Sequence, residues 1–148
     1  MMVKIFKGIW SVSLLAVVAG LLYAYASFPE TVQLGEGQEG AISRNGLFYT
    51  VLGLLGAFNV MIFVVNRLMA PADEFFQAWF YGLIVFFNLF VLVAVQFFSL
   101  DNSQEKFDYT AIGYIIYGSV ALVVLWASLW PLVRIIGVFR TKRQVGIN

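Results

Sequence analysis

The sequence contains no cysteine and no histidine. Without them there is no disulfide framework, and the usual ligand sets for haem, zinc, iron–sulfur clusters and copper are missing. Catalysis by a cysteine nucleophile or a histidine base is excluded for the same reason. We therefore expect no enzymatic activity, no metal site and no cofactor. A quinone or lipid held by aromatic side chains stays open, as does a cofactor ligated mainly by another chain.

Charge is also scarce. Only 11% of the 148 residues are charged, whereas 61% are hydrophobic and the mean hydropathy is +0.88. A soluble domain of this size needs more polar surface to cover its core, so the composition predicts a membrane protein. The net charge of +1 gives no reason to expect a nucleic acid partner.

Uncharged apolar runs define the architecture. A run of about 20 apolar residues crosses a bilayer as a helix, and all 9 basic and 8 acidic residues lie outside the runs found here. The sequence predicts an all-α integral membrane four-helix bundle, a single domain over residues 1–148. The expected spans are 8–27, 47–66, 75–99 and 110–129, with outer loops at 28–46 and 100–109 and a cytoplasmic tail at 130–148.

The sign of the charges orients the predicted bundle. Seven of the 9 basic residues lie in the N-terminus, the second loop and the tail, while six of the 8 acidic residues lie in the first and third loops. Because basic residues accumulate on the cytoplasmic side, both termini are expected to be cytoplasmic. We expect a multi-pass protein of the bacterial cytoplasmic (inner) membrane.

The first span has an alternative interpretation. Lys4 and Lys7 precede an apolar run that ends in Ala24, Tyr25 and Ala26, which resembles a signal-peptidase site. Cleavage would leave three helices. The run is long for a signal peptide, so we expect it to be retained.

Small and polar residues within the spans predict helix contacts. Gly20 lies in a stripe of small residues with Ala16 and Ala24, and Gly53 and Ala57 repeat that spacing in the second span. Such stripes let helices approach closely, either within the chain or in a homo-oligomer. Asn88 and Ser119 lie at similar depth on adjacent spans, so we expect them to form a hydrogen bond.

Aromatic side chains are candidates for contact with partners. The third span is rich in phenylalanine on more than one face, and lipid, a partner protein or a bound hydrophobic molecule can cover such residues. Basic residues near the tail can also contact anionic lipid heads. The candidate partner or lipid contacts are Phe80, Phe87, Phe90, Trp126, Trp130 and Arg134.

Two loop motifs resemble ligand sites. Gly35, Gly37 and Gly40 have the GxGxxG spacing of dinucleotide-binding folds, but the sequence predicts no strand before them and the motif includes two glutamates that would repel phosphate. Asp101, Ser103 and Glu105 alternate like calcium ligands but lack the rest of an EF-hand loop. We interpret them as a flexible loop and a solvated acidic turn.

Phe28, Pro29, Glu30, Thr31 and Val32 follow the first span, and a Gly-rich stretch with a basic residue precedes the second span, at Gly37, Gly40, Ser43 and Arg44. On these residues, the segment from residue 27 to about residue 67 resembles a bacterial membrane domain found in SdpI-like immunity and signalling proteins, which has a Leu-Pro-Asp/Glu-x-Val element, a Gly-rich turn and a basic residue. The family histidine is missing, with Leu34 and Gly35 in its neighbourhood. The resemblance implies a helix, an ordered outer loop and a second helix.

These features predict a non-catalytic integral subunit or accessory protein of a larger bacterial membrane complex of respiratory, secretion or motility type. Other membrane protein subunits and lipids are the expected partners. An SdpI-like immunity or signalling protein, recognising a peptide or lipid through residues 28–46, is one alternative. A small transporter is another, and it would need a continuous polar path through the bundle.

Overall fold

Long helices make up most of the chain. The computed structural model describes residues 2–34, 40–69, 74–103 and 109–145. The helices are α1 (Met2–Ser27), α2 (Arg44–Met69), α3 (Glu74–Asp101) and α4 (Tyr109–Val145), and two short strands, β1 (Thr31–Gln33) and β2 (Ala41–Ser43), lie between α1 and α2. The predicted all-α, four-helix class is confirmed.

Each helix is long and apolar enough to cross a membrane. The spanning segments contain 25 to 28 residues and have mean hydropathies of 2.0 to 2.5. At a rise of about 1.5 Å per residue, 25 residues cover about 37 Å, which exceeds a hydrocarbon core of roughly 30 Å. The chain is therefore a multi-pass membrane protein.

Helix α3 is central, because α1, α2 and α4 all pack against it. Its most extensive contact is with α1, whose buried residues recur at helical spacing at Ser13, Val17, Leu21 and Ala24. In contrast, α1 and α2 contact each other sparsely. The bundle is therefore organised around α3, and the four helices do not contribute equally to the packing.

The helices α1 and α3 approach each other closely at Gly20. A Cβ atom on Gly20 would collide with the side chain of Leu92, and Gln96 Nε2 donates a hydrogen bond to the Gly20 carbonyl oxygen at 3.3 Å. Lipid is as apolar as the helix surfaces, so this contact draws its stability from close packing and hydrogen bonding.

The buried apolar side chains form two clusters. One lies toward the hairpin end of the bundle, where β1 and β2 are found, and joins all of α1, α2, α3 and β1. The other lies toward the N-terminal end, where α1 and α3 begin and α2 ends. The first cluster contains Val17, Leu21, Ala24, Phe28, Val32, Leu47, Leu55 and Val95, and the second contains Ile62, Tyr81 and Ile84.

The strands β1 and β2 form an antiparallel hairpin that the sequence did not predict. Val32 pairs with Ile42, and the alternating pattern buries Val32 while Thr31 and Gln33 are exposed. The hairpin leads directly into α2, where Gly46 N donates to Ser43 Oγ at 3.0 Å. A serine in this position caps a helix by accepting from a main-chain N–H of its first turn. The described part of the segment between α1 and α2 is thus ordered around a buried valine.

Helix α4 extends beyond its expected end. We predicted a span ending at Leu129 and a separate tail, but the helix continues through Pro131 to Val145. A proline inside a helix removes one main-chain hydrogen bond and its ring crowds the preceding turn, and the helix continues across Pro131 despite this cost. Arg134 lies on this extension, with its guanidinium carbon 5.2 Å from the ring centroid of Trp130.

Candidate functional site

A buried polar cluster joins three helices near the middle of the bundle. Its members are Trp10 and Ser13 of α1, Asn59 of α2 and Asn88 of α3. Asn88 is fully buried, with 0% of its surface exposed. Trp10 Nε1 donates to Asn59 Oδ1 at 2.7 Å, Asn59 Nδ2 donates to Asn88 Oδ1 at 2.9 Å, and Asn88 Nδ2 donates to Ser13 Oγ at 3.1 Å. The cluster holds α1 and α2 in a fixed rotation against α3.

The amides of this cluster use their hydrogen-bonding capacity within the protein. Asn59 Nδ2 also donates to the Leu55 carbonyl oxygen at 2.8 Å, Asn88 Nδ2 also donates to Asn59 Oδ1 at 3.2 Å, and Ser13 Oγ donates to the Trp10 carbonyl oxygen at 2.8 Å. A buried polar group is costly unless it is paired, and here the partners come both from the same helix and from the neighbouring helices. The cluster is therefore suited to positioning helices.

The predicted bond between Asn88 and Ser119 is wrong. Asn88 points to α1 and α2, and Ser119 Oγ donates to the Ile116 carbonyl oxygen of its own helix at 2.7 Å. Similar depth in the membrane placed the two residues at one level. It did not determine which side of α3 the Asn88 side chain occupies.

A groove opens between α1 and α2 beside the polar cluster. It forms because each of these helices packs more extensively on α3 than on the other. Its volume is about 310 Å³. Trp10 forms part of its wall and is held by its hydrogen bond to Asn59 and by edge-on contacts with the rings of Phe63 and Tyr81, at centroid distances of 6.2 and 5.8 Å. The lining residues are Trp10, Leu14, Val18, Leu52, Leu55, Gly56, Asn59, Val60 and Phe63.

An aromatic seam joins α3 to α4 toward the N-terminal end of the bundle. Trp79 Nε1 donates to the Trp126 carbonyl oxygen at 2.8 Å, and Trp126 Nε1 donates to the Trp79 carbonyl oxygen at 2.9 Å. Gly82 makes room for this pair, since a Cβ atom there would lie 2.6 Å from Trp126 Cε2. Trp130 stacks on Trp79 at 5.6 Å, and its buried Nε1 has no hydrogen-bond partner among the described residues.

A second, wholly apolar cavity lies beside the seam. Its volume is about 220 Å³, and its walls come from the first turns of α1 and α3 and from α4. The lining residues are Met2, Phe6, Phe75, Ala78, Trp79, Trp126 and Leu129. With no polar atom to orient a ligand, the cavity provides space without chemical selectivity.

The candidate contact residues fall into different environments. Trp126 and Trp130 lie in the seam, with Arg134 over the ring of Trp130. Phe87 stacks on Phe58 of α2 at a centroid distance of 3.9 Å. Phe80 packs on the cluster at the N-terminal end, and Phe90 is half-buried. The structure therefore uses most of these aromatic residues to hold its own helices together.

The two stripes of small residues point in different directions. Gly20 faces α3, as described above, and Ala24 is buried. Gly53 and Ala57 are exposed, and a Cβ atom on Gly53 would meet nothing within 4 Å. Gly53 and Ala57 therefore form no seam with the other described helices of this chain.

The hairpin is attached to α3 by Asn102. Gln33 N donates to Asn102 Oδ1 at 2.7 Å, and Asn102 Nδ2 donates to the Gln33 carbonyl oxygen at 3.0 Å. On the α2 side, the Arg44 guanidinium carbon lies 5.0 Å from the ring centroid of Tyr25, and Nη1 donates to the Phe28 carbonyl oxygen at 3.4 Å. These contacts join the hairpin to three helices.

The two loop motifs are described only in part. Gly35 and Gly37 lie outside the described residues, and Gly40 accepts a hydrogen bond from Leu34 N through its carbonyl oxygen at 3.1 Å. Asp101 is the last residue of α3, Ser103 Oγ donates to the Leu100 carbonyl oxygen at 2.7 Å, and Glu105 lies outside the described residues. Within the described ranges, no group of three acidic side chains is placed to hold a metal ion.

Comparisons with protein-family models, with curated proteins and with solved structures each gave no match to this chain.

Sequence reasoning missed two parts of the site. The pairing of Asn59 with Asn88 and the role of Ser13 were not predicted. The available signal was that Ser13 belongs to the same helical stripe as Val17 and Gly20, which faces α3. The groove had no sequence signal, because it arises from the sparse contact between α1 and α2.

Proposed function

We propose that this chain is a non-catalytic integral subunit or accessory protein of a larger membrane complex of the bacterial cytoplasmic membrane. The observation that carries the proposal is the exposed face of α4. Of the four spanning segments, that of α4 is the least buried, with 0% of its most apolar stretch buried against 17–22% for the others. A second membrane protein packed on this face would complete the burial of α4.

The exposed face of α4 carries side chains suited to protein contact. Tyr114 and Tyr117 are 74% and 77% exposed, and a Cβ atom on Gly118 would meet nothing within 4 Å. Tyrosine presents a large rigid surface with a hydroxyl that can form an interhelical hydrogen bond, and glycine allows a second helix to approach. Identifying the partner that covers this face would show whether the complex is of respiratory, secretion or motility type.

Photo-crosslinking in living cells tests the proposal. A photoreactive amino acid replacing Tyr117 should give a discrete crosslinked protein band. The matched control replaces Leu15 of α1, which is 71% exposed, and should give lipid adducts only. Lipid adducts alone at both positions, together with purification of a lone monomer in mild detergent, would contradict the proposal. A crosslink to a second copy of the chain would identify a homo-oligomer instead.

A second candidate is an SdpI-like immunity or signalling role, which the ordered hairpin favours. The hairpin presents Thr31 and Ser43 as an exposed cross-strand pair while Val32 anchors it in the bundle. Replacing Thr31 with glutamate, which leaves the Ser43 cap of α2 intact, should abolish protection of growing cells against a membrane-active peptide without lowering the amount of protein in the membrane. Protection that survives this change would count against recognition by the hairpin.

No specific observation favours a transporter. A polar path would need hydrogen-bonding capacity left over for a substrate along Asn59, Asn88 and Ser119. The described contacts instead join Asn59 to Asn88 and direct the Ser119 hydroxyl to its own helix.

A further inference from the structure

The groove between α1 and α2 is built as a binding surface for hydrocarbon. Its volume of about 310 Å³ lies at the lower end of the range of roughly 300–1,000 Å³ that is usual for ligand pockets. Trp10 is fixed in the wall by its hydrogen bond to Asn59, and Gly56 leaves open space on the α2 side. The groove therefore exists before a ligand enters it.

The chemistry of the lining restricts the occupant within the groove. The side chain of Asn59 is the polar lining group besides the indole of Trp10, and its amide is hydrogen-bonded to Trp10, Leu55 and Asn88. A polar group of a ligand placed here would be buried without a partner, which is costly. The part of the ligand inside the groove is therefore apolar, as an acyl chain is.

The charges at one end of the groove select the polar part of the occupant. On α1, Lys7 continues the stripe of Trp10, Leu14 and Val18 at helical spacing. On α2, Arg67 follows Phe63 by four residues and continues the same lining stripe. Both basic residues are exposed, and neither α1 nor α2 contains an acidic residue. Glu74 is an exposed acidic residue nearby in the chain, at the first turn of α3.

This polarity matches a lipid lying along the bundle. Basic residues near the end of a spanning helix reach the headgroup level, where each attracts an anionic lipid. We infer that the groove holds one acyl chain of an anionic phospholipid, whose phosphate is bound by Lys7 and Arg67 at the N-terminal end of the bundle. The lipid fills the space that the sparse contact between α1 and α2 leaves open. This inference does not depend on the proposed partner of α4.

Native mass spectrometry of the full chain, released from micelles containing phosphatidylglycerol or phosphatidylcholine, tests the inference. One phosphatidylglycerol molecule should stay bound, and phosphatidylcholine should be lost. Replacing both Lys7 and Arg67 with glutamine should weaken phosphatidylglycerol binding by roughly 30-fold, which corresponds to the attraction of two basic residues for anionic lipid. Lys4→Gln removes a charge from the same end of α1, three residues further from the lining residues than Lys7, and should have a smaller effect.

A matched pair of glycine variants on α2 distinguishes lipid binding in the groove from lipid binding elsewhere on the helix surface. Gly56→Leu places a side chain in the groove, and Gly53→Leu places the same side chain on α2 outside it. A Cβ atom at either position meets nothing within 4 Å, so both variants should fold. Gly56→Leu should abolish retention of phosphatidylglycerol and Gly53→Leu should leave it unchanged.

Three results would overturn the inference. If Gly56→Leu and Gly53→Leu reduce the retention of phosphatidylglycerol equally, the lipid does not bind in the groove. If phosphatidylcholine is retained as well as phosphatidylglycerol, the groove binds the acyl chain without recognising a charged headgroup. Competition by inorganic phosphate at millimolar concentration, with no dependence on Gly56, would indicate a free anion site instead.

Discussion

Trp79 of α3 and Trp126 of α4 exchange a reciprocal pair of hydrogen bonds, each indole N–H donating to the main-chain carbonyl oxygen of the other residue. The two indoles satisfy their donors in an apolar environment and fix the register of α4 against α3. A buried indole N–H usually requires such a partner. The seam is therefore specific in position, unlike contacts made by aliphatic side chains alone.

Gly82→Ala should separate α3 from α4 at this seam. The added Cβ atom would lie 2.6 Å from Trp126 Cε2 and 2.7 Å from Trp126 Nε1, so the indole must move and lose its bond. Overpacking of this kind costs about 1–3 kcal/mol. We expect a lower unfolding midpoint in detergent and a shifted tryptophan emission. Gly118→Ala, where the space is open, should be neutral or slightly stabilising, and equal destabilisation of both variants would contradict the assignment.

Asn88→Ala should destabilise the bundle by about 1–2 kcal/mol. Interhelical hydrogen bonds in membranes contribute about 0.6 kcal/mol on average, and Asn88 bonds to both Asn59 and Ser13. Ser119→Ala is the matched control, because the Ser119 hydroxyl bonds only within its own helix. Unfolding by a denaturing detergent measures both. A double-mutant cycle with Asn59→Ala should give a coupling energy above zero, and purely additive losses would show that the amides act separately.

Asn102→Ala should release the hairpin from α3 without unfolding the helices. The change removes both bonds to the main chain of Gln33, each worth about 1 kcal/mol. Local opening of the hairpin should then become up to roughly 30-fold more frequent. Hydrogen exchange followed by mass spectrometry should show faster exchange in residues 28–34 and no change in α1. Ser103→Ala, which removes a bond to Leu100 only, should leave this exchange rate unchanged.

The predicted orientation is open to a direct labelling test, because the protein has no native cysteine. Thr31→Cys in the hairpin and Leu68→Cys near the end of α2 are exposed positions whose replacement leaves the charge distribution intact. A membrane-impermeant maleimide should label Thr31→Cys in intact cells and Leu68→Cys only after the membrane is opened. The reverse pattern would mean that the termini lie outside.

The sequence predicted the number of apolar helices well, because exclusion of charge from a bilayer leaves a strong and local signal. It did not predict which way a helix face points. Gly20 and Gly53 have similar neighbours in sequence, yet one contacts Leu92 and the other faces away from the described helices. Helix rotation depends on contacts between residues far apart in the chain, such as Ser13 with Asn88. The hairpin was missed because strands of three residues give too short an alternating pattern.

The central position of α3 has a consequence for how the protein is made. Helices enter the membrane in chain order, so α1 and α2 are present before α3 leaves the ribosome. Before α3 arrives, the hydrogen bond from Trp10 to Asn59 and the hairpin can join the first two helices, but their shared partner Asn88 is still missing. Arrival of α3 supplies that partner and the surface on which both helices pack. The buried polar cluster is thus completed only when three of the four helices have been synthesised.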